Sequence, residues 1–296
     1  VASKEALELY DQLQAIAAAT PAFEPTVDGL REHTEVYTQF ATEPEGVAVE
    51  TVDAGGCPGL LLSPADVGPN EILLWLHGGG YNLLEARHVA RMVGHFAKAM
   101  RVQALALDFR RAPEHPFPAA LDDAVGAYAW CRDQGYSWIG LGGDSAGAGH
   151  AAATMLAVRQ AGLPLPDVGV LISGWFDLNL TFPSLTERDA RDPMNNAAGM
   201  AMLRDHYLVG HSTDDPLASP ILGDLTGLPP LYISVSEDEV LHDDSIEFAQ
   251  RAKAAGVAVE LEILDHVPHV HTFWAGNLPE ADSTIQRVAE WAQAQR

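Results

Sequence analysis

One stretch of this chain is compatible with very few backbones. Gly142-Gly143-Asp144-Ser145-Ala146-Gly147 follows the apolar run Ser137-Trp138-Ile139-Gly140-Leu141 and precedes the small-residue run Ala148-Gly149-His150-Ala151-Ala152-Ala153-Thr154-Met155-Leu156. An apolar run, a serine between glycines and an alanine-rich run predict a strand, a sharp turn and a helix. A serine at the tip of such a turn has a strained backbone and an exposed hydroxyl. Side chains at positions 143 and 147 would collide with the adjacent strand and helix, so both are glycine. The helix that starts at the serine aims its first amides at whatever negative charge develops there. An ordinary Gly/Ser turn could carry the same letters, so the weight falls on what else the chain contains, and in which order.

Around this stretch, strand-like runs alternate with helical spacing. Residues 3–19 predict an amphipathic helix with Ala6, Leu9, Tyr10, Leu13, Ile16 and Ala17 on one face, Ser3 as N-cap, and Pro21 and Pro25 ending it. A second helix is expected over 27–41, with Leu30, Tyr37, Phe40 and Ala41 on one side. Residues 47–52 and 59–62 read as a hairpin around Gly55-Gly56. Residues 72–76 are apolar throughout, as in a strand buried on both faces, and run straight into His77-Gly78-Gly79-Gly80-Tyr81. Further strands are expected at 102–108, 168–173, 231–235 and 257–264, and helices at 86–100, 119–133, 243–255 and 280–295. This alternation predicts an α/β fold, a mostly parallel sheet flanked by helices.

Residues 178–228 break the alternation, with Pro183, Pro193, Pro216 and Pro220 among short apolar patches. The expected organisation is an α/β core over 46–177 and 229–296, with an insertion at 178–228 on the C-terminal edge of the sheet. Ligands bind at that edge in open α/β sheets, so the insertion and the N-terminal helices of 1–45 are expected to form a helical cap over a site.

Charge narrows the partners. Forty-one Asp and Glu against 17 Lys and Arg leave −24 over 296 residues. Such a chain repels nucleic acid, anionic membranes and strongly anionic substrates, and the same charge keeps a protein in solution. No apolar run is long enough to span a bilayer. The start lacks a basic stretch followed by an apolar core, and Cys57 and Cys131 are too few for a disulfide framework. Two buried thiols in a cytoplasmic protein are the expectation.

A serine hydroxyl is a poor nucleophile until a base takes its proton and an acid orients that base. In an α/β-hydrolase the order is serine, acid, histidine. The acid should follow the strand at 231–235, where Glu237, Asp238, Glu239, Asp243 and Asp244 stand close together. Residue chemistry alone does not rank Glu239, Asp238 and Asp243. The base should follow the last strand, where His266, His269 and His271 lie. These imidazoles could instead share a metal ion with the nearby carboxylates, although no H-E-x-x-H motif is present. The third requirement is a set of amide donors for an oxyanion, each worth roughly 3–4 kcal/mol. His77-Gly78-Gly79-Gly80 follows a strand, and its glycines let backbone approach a ligand closely. Gly79, Gly80 and Ala146 are the expected donors, with Gly78 shaping the turn of the same oxyanion loop. No Lys-Ser/Thr follows the glycines and no G-x-G-x-x-G occurs, so the run is not a nucleotide loop.

Together these residues resemble the bacterial hormone-sensitive-lipase-like esterases of the α/β-hydrolase superfamily. His77-Gly78-Gly79-Gly80 and Gly143-Asp144-Ser145-Ala146-Gly147 carry the likeness. Asp108-Phe109-Arg110-Arg111-Ala112-Pro113-Glu114-His115-Pro116-Phe117-Pro118-Ala119-Ala120 is similar to the family's D-Y-R-L-A-P-E-H-P-F-P-A-A segment. The resemblance covers roughly residues 45–296. It ranks Glu239 first among the acids, because Glu239-Val240-Leu241-His242-Asp243 aligns with a D-x-L-x-D segment, and it selects His269 through His269-Val270-His271. It implies a carboxylester hydrolase for short to medium acyl chains, acting through Ser145, Glu239 and His269 without metal or organic cofactor. Three places depart from the family pattern: Asn82-Leu83-Leu84-Glu85 after Tyr81, Arg111 in place of Leu, and Gly174-Trp175-Phe176-Asp177 in place of S-P-W-x-D. A lactone hydrolase or amidase would use the same machinery, and plant gibberellin receptors resemble the fold without its histidine. The sheet leaves edge strands and helices free for a homodimer, and no sequence feature identifies the interface.

Overall fold

The computed structural model describes residues 2–19, 26–68 and 70–296. Eight strands form one sheet in the order β1-β2-β4-β3-β5-β6-β7-β8. They are β1 (Val47–Asp53), β2 (Pro58–Pro64), β3 (Glu71–Leu76), β4 (Gln103–Leu107), β5 (Trp138–Asp144), β6 (Val168–Ile172), β7 (Leu231–Ser236) and β8 (Val259–Leu264). The β1–β2 and β2–β4 pairs are antiparallel, and every pair from β4 through β3 to β8 is parallel. Gly55 and Gly56, both at positive φ, turn the hairpin between β1 and β2.

Strand geometry divides the core into two layers, because successive side chains point to opposite faces. Ile72, Leu74 and Leu76 join an apolar cluster with Leu121, Ala124, Tyr128, Met155 and Phe248. These come from the helices α4 (Ala119–Asp133), α5 (Ala146–Gln160) and α8 (His242–Ala254). Leu73 and Trp75 face the other way, onto Val89, Met92, Phe96, Ile285 and Val288. Those belong to α3 (Ala86–Met100) and α9 (Pro279–Gln293). Each of the Val, Leu, Ile, Phe and Met side chains removed from water contributes about 1.5–3 kcal/mol, and the continuous apolar run of β3 follows from its burial on both faces.

The N-terminal segment begins with α1 (Lys4–Ala19), whose Ala6 amide donates to Ser3 Oγ at 3.0 Å as an N-cap expects. The terminating prolines Pro21 and Pro25 lie outside the described residues. The single helix expected over 27–41 is instead α2 (Val27–Glu32) followed by a 3₁₀ turn, Thr34–Gln39. Thr34 Oγ1 donates to Arg31 O at 2.8 Å and Thr38 Oγ1 to Glu35 O at 2.7 Å. Threonine hydroxyls that satisfy carbonyls three residues back compete with α-helical bonding, and the β-branched run Thr34, Val36, Thr38 adds little helix propensity to resist them.

Residues 178–228 contain α6 (Ser184–Glu187), α7 (Ala197–Leu208) and a 3₁₀ turn, Pro220–Leu222, with no strand. Asn196 caps α7 through Gly199 N at 2.8 Å. No described helix is long and apolar enough to cross a membrane.

Candidate active site

The serine of the central turn ends β5 and begins α5. Ser145 has φ 55° and ψ −126°, a sparsely populated conformation for a residue with a side chain, costing about 1–3 kcal/mol. Close packing holds it there. A Cβ on Gly143 would lie 2.3 Å from Gly147 O, and one on Gly147 would lie 2.0 Å from Leu76 O. Ser145 N donates to Ile172 O at 2.8 Å, and Trp175 N donates to Ser145 O at 3.0 Å. The side chain is half-buried, whereas the neighbouring Asp144 is fully buried.

Asp144 fastens the serine turn to the glycine run. Its Oδ1 accepts from Trp75 Nε1 at 2.8 Å and its Oδ2 from Gly78 N at 3.0 Å. Burial raises its pKa to about 6 against the lowering effect of both hydrogen bonds. The Gly78 amide is therefore committed, and of the four residues expected to form the oxyanion loop Gly78 supplies shape and no free donor. Gly78 also packs on the serine, since a Cβ there would stand 3.0 Å from Ser145 Cβ. Gly79 and Gly80 follow at φ 91° and 61°. Among the described residues, the amides of Gly79, Gly80 and Ala146 donate to no protein acceptor. His77 lies flat on Phe109, 4.1 Å between ring centres, and its Nδ1–H donates to Gly78 O at 2.9 Å. Burial holds its pKa down at about 3, so it braces the loop as a neutral ring.

At the ends of β7 and β8 the expected acid and base meet. His269 Nδ1 lies 2.5 Å from Glu239 Oε2. Because a carboxylate oxygen accepts, Nδ1 carries the hydrogen and Nε2 is left as the basic nitrogen. Glu239 is 1% exposed, and its other oxygen accepts from Ser173 Oγ and from Ser236 N, both at 2.8 Å. Ser173 Oγ in turn accepts from Val270 N at 3.1 Å. One hydroxyl, one residue past β6, thus ties the acid to the histidine loop. Burial by itself would lower the His269 pKa. The Glu239 charge and hydrogen bond, then Asp192 and Asp144, outweigh burial and leave it above the ordinary imidazole value.

The other sequence candidates have different partners. Asp238 pairs with Arg191 and with His266 Nδ1 at 2.9 Å. Asp243 Oδ2 accepts from Ser184 N at 2.9 Å. Asp244 accepts from Phe176 N and Asp177 N. His271 Nε2 meets Thr284 Oγ1 at 2.9 Å, inside the core. The three histidines thus turn to three separate partners, and among the described residues no three His, Cys, Asp or Glu side chains converge as metal ligands. Asp177 closes a local turn through Asn179 N and Thr181 Oγ1. Cys57 and Cys131 are buried thiols with no disulfide, each pushed up to about 12 by burial.

Two neighbours of the pair were not anticipated from sequence. Ser173 stands where one serine past an apolar strand has many possible roles. Asp192 lies in the proline-punctuated segment, where no periodicity assigns a direction to any side chain.

Comparison with known proteins accords with this geometry. A family profile described as alpha/beta hydrolase fold matches residues 73–273. The chain is 43% identical over 242 residues to an acetyl-hydrolase of Streptomyces hygroscopicus, covering 80% of each protein. It is 38% identical, with a TM-score of 0.94, to a crystal structure of an esterase from the bacterial hormone-sensitive lipase family, covering 100% of this chain and 99% of that one. A further crystal structure, of EstE5 soaked with p-nitrophenyl butyrate, matches with 38% identity, a TM-score of 0.93 and 99% of each chain covered. The strained serine, the glycine loop and the sheet order define an α/β-hydrolase. The chain belongs to the bacterial hormone-sensitive-lipase-like family of that superfamily, and it is an esterase.

Proposed function

We propose that the chain hydrolyses short- to medium-chain carboxylic esters through a serine-linked acyl-enzyme. Ser145 Oγ attacks the ester carbonyl as His269 Nε2 takes its proton. Glu239 fixes the imidazole tautomer and stabilises the imidazolium. The amides of Gly79, Gly80 and Ala146 receive the oxyanion, and the first turn of α5 adds a favourable dipole. The carbonyl reforms as the alkoxide leaves with the His269 proton. Water, deprotonated by the same nitrogen, then attacks the acyl carbonyl, and Ser145 recovers its proton as the acid departs.

The observation that carries this reading is the 2.5 Å His269–Glu239 pair, anchored through Ser173 beside the strained serine turn. The acyl range is inferred from relatives: one is called an acetyl-hydrolase and another was soaked with p-nitrophenyl butyrate. We further propose that residues 1–45 and 178–228 form a helical cap over a core of 46–177 and 229–296. Tyr207 of α7 stacks on Tyr81 beside the glycine loop at 3.8 Å, and Arg31 of α2 donates to Asn82 O at 2.8 Å. Hydrolysis of p-nitrophenyl acetate, butyrate, octanoate and palmitate, beside a lactone and an anilide, tests the reading. Turnover peaking at acetate, butyrate or octanoate and lost in Ser145→Ala supports it. Equal turnover in Ser145→Ala, or preference for the anilide, contradicts it.

A further inference from the structure

Val240, the residue after Glu239, has both of its backbone polar groups held by the inserted segment. Its amide donates to Asp192 Oδ2 at 3.1 Å, and its carbonyl accepts from Ser184 Oγ at 2.7 Å. Asp192 is 7% exposed. Its other oxygen accepts from Met194 N at 2.9 Å and Asn195 N at 3.0 Å, a tight Asx-type turn that aims the carboxylate at residues 239–240. A buried carboxylate with three amide donors is over-determined for a surface loop. It costs desolvation that only a fixed geometry offsets.

Resting on the serine-esterase reading above, we propose that Asp192 is a positioning residue for the reaction: from the insertion it clamps the turn that carries Glu239 and adds a further negative charge to the surroundings of His269. The acid–base pair is then complete only with residues 178–228 seated. Several groups share the surroundings. His269 lies within electrostatic reach of Glu239, Asp144 and His271 as well as Asp192. Asp192 is also within electrostatic reach of Glu239, of Tyr37 in the N-terminal 3₁₀ turn and of Tyr10 in α1, and its burial raises its own pKa above the ordinary carboxylate value. Its neighbour Arg191 is engaged with Asp238. Of these, Asp192 combines a hydrogen bond to the acid turn with a charge that His269 feels.

Asp192→Asn is the test. If the Asn oxygen keeps the turn to Met194 and Asn195, its NH₂ faces the Val240 amide, donor against donor. Charge and clamp are lost together. The readout is the pH profile of kcat/KM for p-nitrophenyl butyrate, whose acid limb reports the base in the free enzyme. The Asp192 charge favours protonated His269, so removing it moves the acid limb to lower pH, by roughly half a unit for one carboxylate acting across protein interior. Plateau kcat falls about tenfold while KM stays within about threefold, as for a misplaced catalytic group. Asp192→Glu keeps the charge and holds the limb near its wild-type position. A folded, active Asp192→Asn enzyme whose limb does not move overturns the proposal. Should that variant not fold, Asp192→Ser, which can still accept from Met194 N, carries the same expectation and the same contrary result. Wild type that does not hydrolyse the ester, or that hydrolyses it equally as Ser145→Ala, contradicts the serine mechanism instead, so the two failures are distinct.

Discussion

The two halves of the site are built in opposite ways. On the acid–base side, Glu239 is saturated: His269, Ser173 and Ser236 occupy both oxygens. On the side proposed to hold the oxyanion, the amides of Gly79, Gly80 and Ala146 have no protein acceptor among the described residues. In the proposed mechanism the first half needs a fixed charge, and three hydrogen bonds hold the Glu239 carboxylate in one orientation. In that mechanism the second binds charge that exists only in transit, which suits donors that stay open and rigidity supplied from behind. Arg31 provides part of that support, donating to Asn82 O, to Ala112 O and to the Glu114 carboxylate. Leu203 of α7 packs on Gly80, where a Cβ would meet its Cδ1 at 2.5 Å. Preorganisation therefore takes two forms here, saturation of a carboxylate and external bracing of unsaturated amides.

Substitutions break the two halves differently. Glu239→Gln has the largest expected effect. Its amide offers a donor to an imidazole that must keep its hydrogen on Nδ1, and kcat should fall by about 10³–10⁴, as for loss of tautomer control in other triads. Steady-state kinetics with circular dichroism to verify folding would check this, and a loss below tenfold would contradict the assignment. Next comes Gly79→Ala. Its methyl would stand 2.6 Å from Leu84 N at a φ of 91°, displacing the loop. A fall in kcat of about 10²-fold, with a smaller change in KM, is expected for a displaced oxyanion donor. Arg31→Gln tests bracing from behind: kcat should drop about tenfold, with acid-limb pH dependence unchanged because Arg31 lies on the oxyanion side. An acid limb that moves would mean the halves are coupled. Smallest is Asp238→Asn. Although adjacent to Glu239, the buried Asp238 pairs with Arg191 and His266, so its loss should lower stability while kcat of the folded enzyme stays within about threefold of wild type. In wild type itself, activity should fall as pH drops through a His269 pKa lying above the ordinary imidazole value, because protonation removes the base.

Local chemistry was legible in the sequence; assembly was not. Gly143, Ser145 and Gly147 announce their turn because the backbone around them admits few alternatives. Glu239 and His269 needed the family resemblance, since five carboxylates and three histidines at the right strand ends are chemically similar. What separates Glu239 from Asp238 is contact with Ser173, 66 residues away. Residues 27–41 carried a helical apolar spacing, but threonine hydroxyls bonded to nearby carbonyls and split the segment. The unusual residues after Tyr81 and the arginine at 111 read as two separate departures from the family. They are partners: Arg111 donates to Leu83 O at 2.9 Å and to Glu85 Oε1 at 2.7 Å. No spacing rule connects positions 83–85 to 111, because only the fold brings them together.

The most direct test of the central claim is covalent. Diethyl p-nitrophenyl phosphate mimics an ester at its tetrahedral stage, and an activated serine displaces p-nitrophenolate from it to form a stable diethylphosphoryl serine, a phosphate triester. Peptide mass mapping should locate the diethylphosphoryl group on Ser145, with stoichiometric p-nitrophenolate release, none in Ser145→Ala and a greatly slowed reaction in His269→Ala. Ester hydrolysis that continues with no label on Ser145, or a label on another residue, would contradict the account.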